Sequence, residues 1–159
     1  MRTKLIVAAT GVALIAGALV GAAPAQAATS CTKQTRNIDI DDWADTSMTI
    51  RLCVSGPRNG KGKHTAKTTV TWGSWDSESP RDGRYDRFAF TYRLRHHGRV
   101  VNYETCLTDG HLDWTARGSK TCSVSYSGGA GGWDATGTVS YKAKKRGAKT
   151  WVMATNSIK

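Results

Sequence analysis

The chain has 159 residues, and its 23 Lys and Arg outnumber its 12 Asp and Glu, which gives a formal net charge of +11 at neutral pH. A length in this range suits one folded domain with its own hydrophobic core rather than several domains. The excess of positive charge favours anionic over cationic partners.

The N-terminal segment has the pattern of a secretory signal peptide rather than of a transmembrane anchor. Arg2 and Lys4 precede an apolar run from Leu5 to Ala22, and Ala25-Gln26-Ala27 is a small-residue cleavage motif with no stop-transfer charges behind it. We therefore expect a secreted protein with a signal peptide at 1–27, a single domain at 28–159 and no transmembrane segment in the mature chain. The leader and composition resemble those of small exported bacterial proteins.

The rest of the chain has the period-two hydrophobic pattern of β-strands and no long run with helical periodicity. The clearest example is Thr46 to Ser55, where Met48, Ile50, Leu52 and Val54 lie on one side of an extended chain. Gly, Pro and Asn residues separate the segments. We predict an all-β fold, an antiparallel β-sandwich or flattened barrel of about eight strands. Other expected strands are about Thr32 to Ile40, Thr65 to Trp75, Thr121 to Ser127, Trp133 to Lys144 and Thr150 to Asn156.

Two β-hairpins are predicted with explicit registers, one turning at His97-Gly98 and the other around Arg146-Gly147. In these registers apolar and aromatic side chains face each other across the strands, and such pairs stabilise a sheet. The expected pairs are Leu94 with Val101, Tyr92 with Tyr103, Phe90 with Thr105 and Phe88 with Leu107 in the first hairpin, and Tyr141 with Val152 and Val139 with Ala154 in the second.

The four cysteines predict two disulfides, because the leader directs the chain to an oxidising compartment and the count is even. Cys31 and Cys53 lie on the polar sides of neighbouring strands, and Cys106 and Cys122 lie on consecutive strands. We therefore expect the pairings Cys31–Cys53 and Cys106–Cys122. Each closes a loop of about 20 residues, worth roughly 3 kcal/mol in the chain-entropy model. No C-x-x-C motif or Cys/His cluster at ligand spacing favours a redox or metal site.

Charge segregates to two ends of the domain if the strands succeed one another in antiparallel order. Alternate turns then share one end, which we name the basic end, and no Asp or Glu falls in those turns. A concentrated positive surface attracts polyanions, and such binding weakens as salt rises. We expect an anionic polymer or an acidic protein as partner, with nucleic acid left open. The residues expected at the basic end are Arg58, Lys61, Lys63, His64, Arg95, His96, His97 and Arg99.

The opposite end collects most of the acidic residues and raises the question of calcium. Asp39, Asp41, Asp42 and Asp45 are the calcium candidates, since hard cations take clustered carboxylates. They lack the D-x-[DN]-x-[DN]-G spacing, and nearby arginines offer another means of neutralising them. We therefore expect no bound metal and no other cofactor.

Tryptophans in or beside turns could stack on sugars or bases, or could cover the open ends of the fold. Trp43, Trp114 and Trp133 are of this kind, and we expect them to close the ends.

The leading functional hypothesis is a small secreted binding protein that contacts an anionic extracellular or cell-envelope partner through basic hairpin tips. No catalytic motif is present, so an enzyme is not expected. One alternative is an inhibitor of extracellular proteases that presents Arg81 from the exposed loop at 77–86. The other alternative is a secreted basic nuclease.

Overall fold

The computed structural model describes residues 27–38, 46–58, 61–74, 85–113, 117–143 and 147–159. Over these ranges the chain is all-β apart from one short helix, and the predicted fold class is confirmed at this level. The elements are β1 (Ala27–Ile38), β2 (Thr46–Pro57), β3 (Gly62–Ser74), β4 (Tyr85–His96), β5 (Arg99–Thr108), α1 (Asp109–Asp113), β6 (Arg117–Gly128), β7 (Trp133–Ala143) and β8 (Lys149–Ala154).

The strands form two antiparallel sheets of four strands each. The first sheet has the order β1-β2-β3-β6, and the second has the order β5-β4-β7-β8. In the first sheet every pairing runs without a register shift. As a consequence, odd-numbered residues of all four strands point to one face of the first sheet and even-numbered residues to the other, because side chains alternate along a strand.

The inner face of β2 is the centre of the hydrophobic core. Met48, Ile50, Leu52 and Val54 are fully buried, as the alternating pattern predicts. They belong to one cluster that also contains residues of the second sheet, among them Phe90. Burying a side chain of this size contributes about 1.5–3 kcal/mol, so this one strand is a large part of the driving force.

Two disulfides join the strands with the pairings expected from the sequence. Cys31 and Cys53 are directly opposite each other on β1 and β2, with their Cα atoms 4.0 Å apart. Cys106 and Cys122 join β5 of the second sheet to β6 of the first. One disulfide therefore fixes the register within a sheet, and the other holds the two sheets together at their β5 and β6 edges.

The first hairpin has the predicted turn, and the predicted register holds for the pairs beside it, His96–Arg99 and Arg95–Val100, but not beyond them. His97 and Gly98 adopt left-handed conformations with φ of 49° and 78°, which a two-residue hairpin turn of this kind requires. A shift between Leu94 and Arg95, and a second one between Phe90 and Thr91, then displace the pairs farther from the turn. The predicted pairs Leu94–Val101, Tyr92–Tyr103, Phe90–Thr105 and Phe88–Leu107 are therefore wrong; the structure pairs Leu94 with Asn102, Tyr92 with Glu104 and Phe90 with Leu107.

The shift places a polar partner beside a buried hydroxyl. Tyr92 is fully buried, and its Oη donates a 2.8 Å hydrogen bond to Oε2 of Glu104. In the predicted register Tyr103 would occupy that position, and the Tyr92 hydroxyl would face an aromatic ring instead of an acceptor. Tyr103 is instead 66% exposed. Buried Tyr hydroxyls need a hydrogen-bond partner. The predicted register was chosen only to place apolar side chains opposite each other, so it gave the Tyr92 hydroxyl no acceptor.

The second hairpin also has a different register, and the predicted pairs Tyr141–Val152 and Val139–Ala154 are wrong. Val139 is opposite Trp151, and Thr138 is opposite Val152. The displacement is an odd number of residues, so it exchanges the two faces of β8. Trp151 and Met153 are buried, whereas Val152 is 61% exposed. Burying an indole and a thioether removes more apolar surface from water than burying Val152 and Ala154.

Strand limits and the β5–β6 connection differ in smaller ways. β1 begins at Ala27 and β6 at Arg117, earlier than expected, because polar residues continue the hydrogen-bonded ladders. The short helix α1 lies where a plain loop was expected, and its Leu112 is buried. Within the described residues no helix combines the length and apolar character needed to cross a membrane.

The observed register of β8 can be tested with two neighbouring substitutions. We expect Trp151→Ala to lower the free energy of unfolding by about 3–5 kcal/mol, since it empties a buried site. The matched control Val152→Ala changes an exposed side chain and should lower it by only about 0.5 kcal/mol. Urea unfolding measures both. A larger loss for Val152→Ala than for Trp151→Ala would contradict this register.

The ionisation of Tyr92 can be tested at alkaline pH. Burial, and then the hydrogen bond that Tyr92 donates to Glu104, raise the pKa of the Tyr92 phenol well above its ordinary value. The resulting stability is fully present below about pH 10, where the unfolded phenol titrates, and is lost as pH rises through the higher folded pKa. We expect urea at pH 11 to release phenolate absorbance, and Tyr92→Phe to reduce that step by one tyrosine. Steps of equal size would contradict the assignment.

Candidate functional site

Three connections meet at one end of the molecule. The ends of β2 and β3, the β4–β5 turn and the β6–β7 connection are joined there by direct contacts. Gly62 of β3 is opposite Gly128 of β6, and the backbone N–H of His97 donates a 2.8 Å hydrogen bond to the carbonyl of Gly132. This is the end to which antiparallel succession assigns the basic turns.

Trp133 closes this end between two imidazole rings. Its ring lies parallel to that of His64, with centroids 4.1 Å apart and 5° between planes, and to that of His96, at 4.2 Å and 15°. The indole is fully buried, and its Nε1–H donates a 2.8 Å hydrogen bond to the carbonyl of Gly129. Trp133 thus covers the end of the fold, the role expected of it; Trp43 and Trp114 lie outside the described residues.

Two glycines leave room for these rings. A Cβ at Gly56 would overlap the imidazole of His64, and one at Gly132 would overlap that of His97. Gly132 also has a φ of 67°, a conformation that side chains other than glycine rarely adopt. The β6–β7 connection can approach the hairpin tip this closely only because Gly132 lacks a side chain, and His64 can fold over β2 only because Gly56 lacks one.

The histidines of the basic end do not share one environment. His64 is fully buried, with Nδ1 3.2 Å from the carbonyl oxygen of Gly62 and Nε2 3.3 Å from that of Pro57. The expectation that His64 adds to an exposed basic surface is therefore corrected. His96 is half-buried against Trp133, and only His97 is exposed.

Arg95 is also removed from the free positive surface. Its Nε donates a 2.6 Å hydrogen bond to Oδ1 of Asp134, and the two form an ion pair. Asp134 is in β7, directly opposite Arg95 of β4. Counting charges in the turns alone missed this carboxylate, and only knowledge of the β4–β7 pairing could have found it.

The remaining cations form an exposed group. Arg58, Lys61, Lys63 and Arg99 are exposed, and none has an ion pair with another described residue. A depression of about 490 Å³ lies beside Lys61 and is lined by Gly62, Ser127, Gly128 and Gly129. These four cations, together with the exposed His97, are the part of the predicted site that the structure leaves accessible to a partner.

Several other candidates cannot be placed. The calcium candidates Asp39, Asp41, Asp42 and Asp45 and the part of the proposed protease-binding loop that carries Arg81 lie outside the described residues. Asp86, at the end of that loop, pairs with Lys142 at 3.2 Å. Among residues that the structure describes, no group of three or more His, Cys, Asp or Glu could hold a metal ion.

Comparison with protein-family models, with curated proteins and with solved structures finds no match for this chain. Its function has to be inferred from its own residues.

The packing role of His64 can be tested by comparing it with the exposed His97. We expect His64→Ala to lower the free energy of unfolding by about 2–4 kcal/mol, because it opens a cavity against Trp133. The control His97→Asn changes an exposed ring and keeps a residue that tolerates the left-handed turn, so its effect should be within about 0.5 kcal/mol. Thermal or urea unfolding with tryptophan fluorescence measures both; equal losses would contradict the buried role of His64.

Proposed function

We propose that this protein is a small secreted binding protein, non-catalytic, whose basic end contacts an anionic extracellular or cell-envelope partner. One observation carries the proposal. Arg58, Lys61, Lys63 and Arg99 are exposed at the same end, while the one carboxylate side chain described beside these turns, Asp134, is bound to Arg95.

The chemistry of this end suits binding better than catalysis. Two of its imidazoles pack on Trp133, and His64 has backbone carbonyls at both ring nitrogens. A histidine held in this way is not presented to a substrate. The exposed lysines and arginines can approach anionic groups without losing an ion pair to any residue that the structure describes. An anionic polymer or an acidic protein is the class of partner that such a surface attracts.

The proposed location and layer arrangement rest on other features. The leader pattern of 1–27 favours secretion, and two disulfides are compatible with an oxidising compartment. We also infer that the sheets pack face to face as a β-sandwich, because the buried residues of both belong to one core cluster. In such a sandwich the turns of both layers lie at the two ends, where a partner can reach them.

Binding to dextran sulfate across a salt series tests the basic end. The basic-end variant combines Arg58→Ser, Lys61→Ser and Arg99→Ser, and leaves Lys63 unchanged. We expect this variant to bind at least tenfold more weakly at low salt. The slope of log affinity against log salt should fall in magnitude by about two to three, because binding then releases fewer counterions.

The control has the same change in net charge at the opposite end of the strands. This far-end variant combines Arg87→Ser, Lys142→Ser and Lys149→Ser, all of which are exposed. Because both variants lose three positive charges, a loss of affinity caused by net charge alone is the same in both. Beyond that shared loss, the far-end variant should bind dextran sulfate within about twofold of the unmodified protein. If both variants lose the same affinity and slope, the protein responds only to its net charge and the proposed site is wrong.

A further inference from the structure

The outer face of the first sheet carries hydroxyls and cations, and no acidic residue lies in its strands. Its odd-numbered positions carry Ser and Thr hydroxyls in rows across the strands, including Thr35 with Thr49 at 2.8 Å and Thr69 with Thr121 at 3.1 Å. Cations stand among these hydroxyls, and no aromatic side chain occupies an outward position. The cations that point outward are Lys33, Arg51, Lys63, Lys67 and Arg117.

The charge on this sheet is of one sign. The strands β1, β2, β3 and β6 contain no Asp or Glu at all. The described strands of the second sheet contain Asp86, Glu104 and Asp134, and each of these accepts a hydrogen bond or pairs with a cation of that same sheet. The absence of counter-charges in the first sheet is therefore specific to it.

Two of the cations are held directly opposite each other. Lys33 of β1 is paired across the strands with Arg51 of β2. Each lies two residues from the Cys31–Cys53 pair, whose Cα atoms are 4.0 Å apart, so the two side chains belong to the more closely spaced class of cross-strand pairs. Like charges placed directly opposite destabilise a sheet. A bound anion between them would relieve that repulsion.

A third cation and a group of hydroxyls complete the arrangement. Lys67 of β3 is opposite Cys53 of β2. It is therefore a diagonal neighbour of Arg51, two residues along β3 from Thr69, which is directly opposite Arg51. An open depression of about 370 Å³ lies beside Lys33 and Arg51 on this face of the sheet. It is lined by Lys33, Thr49, Arg51, Thr69 and Thr71.

We propose that this depression is a subsite for the anionic group of a linear acidic polysaccharide that lies along the outer face of the first sheet. Lys33 and Arg51 bind the carboxylate or sulfate, and the hydroxyls of Thr49, Thr69 and Thr71 hydrogen-bond to the hydroxyls of the sugar. Lys67, outside the depression and diagonal to Arg51, adds positive charge beside it. This surface shares Lys63 with the basic end, whereas Arg58, Lys61 and Arg99 lie outside it.

The surface fits a polysaccharide better than a nucleic acid. Single-stranded nucleic acids are bound by stacking their bases on aromatic side chains, and the outward positions of this sheet have none. Sequence-dependent contact with double-stranded DNA needs an element that enters a groove, and a flat face of short hydroxyl side chains has no such element. A sugar chain offers both the negative charges and the many hydroxyls that these residues complement.

Two variants test the subsite against polygalacturonate and dextran sulfate, with neutral dextran and double-stranded DNA for comparison. The sheet-face variant combines Lys33→Thr, Arg51→Thr and Lys67→Thr, and we expect it to bind both acidic polysaccharides at least tenfold more weakly than the far-end variant of equal charge. The urea midpoint of the sheet-face variant at low salt should rise, because the repulsion between Lys33 and Arg51 is gone. The same unfolding transition shows that the variant folds.

The hydroxyl variant combines Thr49→Val and Thr69→Val, which keep the β-branched shape and the net charge. We expect its affinity for the acidic polysaccharides to fall threefold or more at high salt, while the control Thr91→Val, on the outer face of the second sheet, has no effect. Unchanged polysaccharide binding in the sheet-face variant would overturn the proposal, whatever the basic-end variant does. DNA binding that is as strong as polysaccharide binding and indifferent to Thr49→Val and Thr69→Val would also overturn it.

Discussion

The stack of His64, Trp133 and His96 is the contact on which the arrangement of charge depends. His64 belongs to the first sheet, and Trp133 and His96 belong to the second. Because the indole has an imidazole on each face, both sheets are held together at the same end of their strands. Aromatic pairs of this kind contribute about 0.5–1.5 kcal/mol each beyond the burial of their surface.

This contact has a consequence for what the basic end can do. The loops that carry Arg58, Lys61 and Arg99 start from strands that the stack holds together, so their positive charges are concentrated in one region. The same contact buries His64 and half-buries His96, which removes both from contact with a partner. The exposed surface therefore consists of Arg58, Lys61, Lys63 and Arg99, with His97 as its one exposed histidine among the described residues of this end.

The features of this fold that the sequence predicts well are those that depend on alternation within a strand. The apolar stripe of β2 follows from the residues alone, and so do the outward positions of Cys31 and Cys53, which make their disulfide compatible with antiparallel pairing. The registers of the two long hairpins were not predictable in this way. The first is displaced by irregularities at Leu94/Arg95 and at Phe90/Thr91. The second differs from the predicted register by three residues (pairs summing to 290 instead of 293), which the alternation within each strand does not determine.

The candidate site was also predictable only in part. Turn positions locate the exposed cations, because turns lie at the surface whatever the register of the strands. The pairing of Arg95 with Asp134 joins residues of strands that are distant in sequence, and no local pattern identifies it. A charge count by turns therefore overestimated the free positive charge of this end.

The cations of the first sheet raise a different question, which is how the sheet tolerates them. Lys33 and Arg51 repel each other across β1 and β2, yet β1 is an edge strand that only β2 holds in the sheet. The neighbouring Cys31–Cys53 disulfide joins the same two strands and offsets that repulsion, because it prevents the edge from separating locally. A covalent bond placed beside like charges allows this sheet to keep a positive face without acidic residues to balance it. Such an arrangement costs stability unless an anion from outside the chain supplies the missing charge.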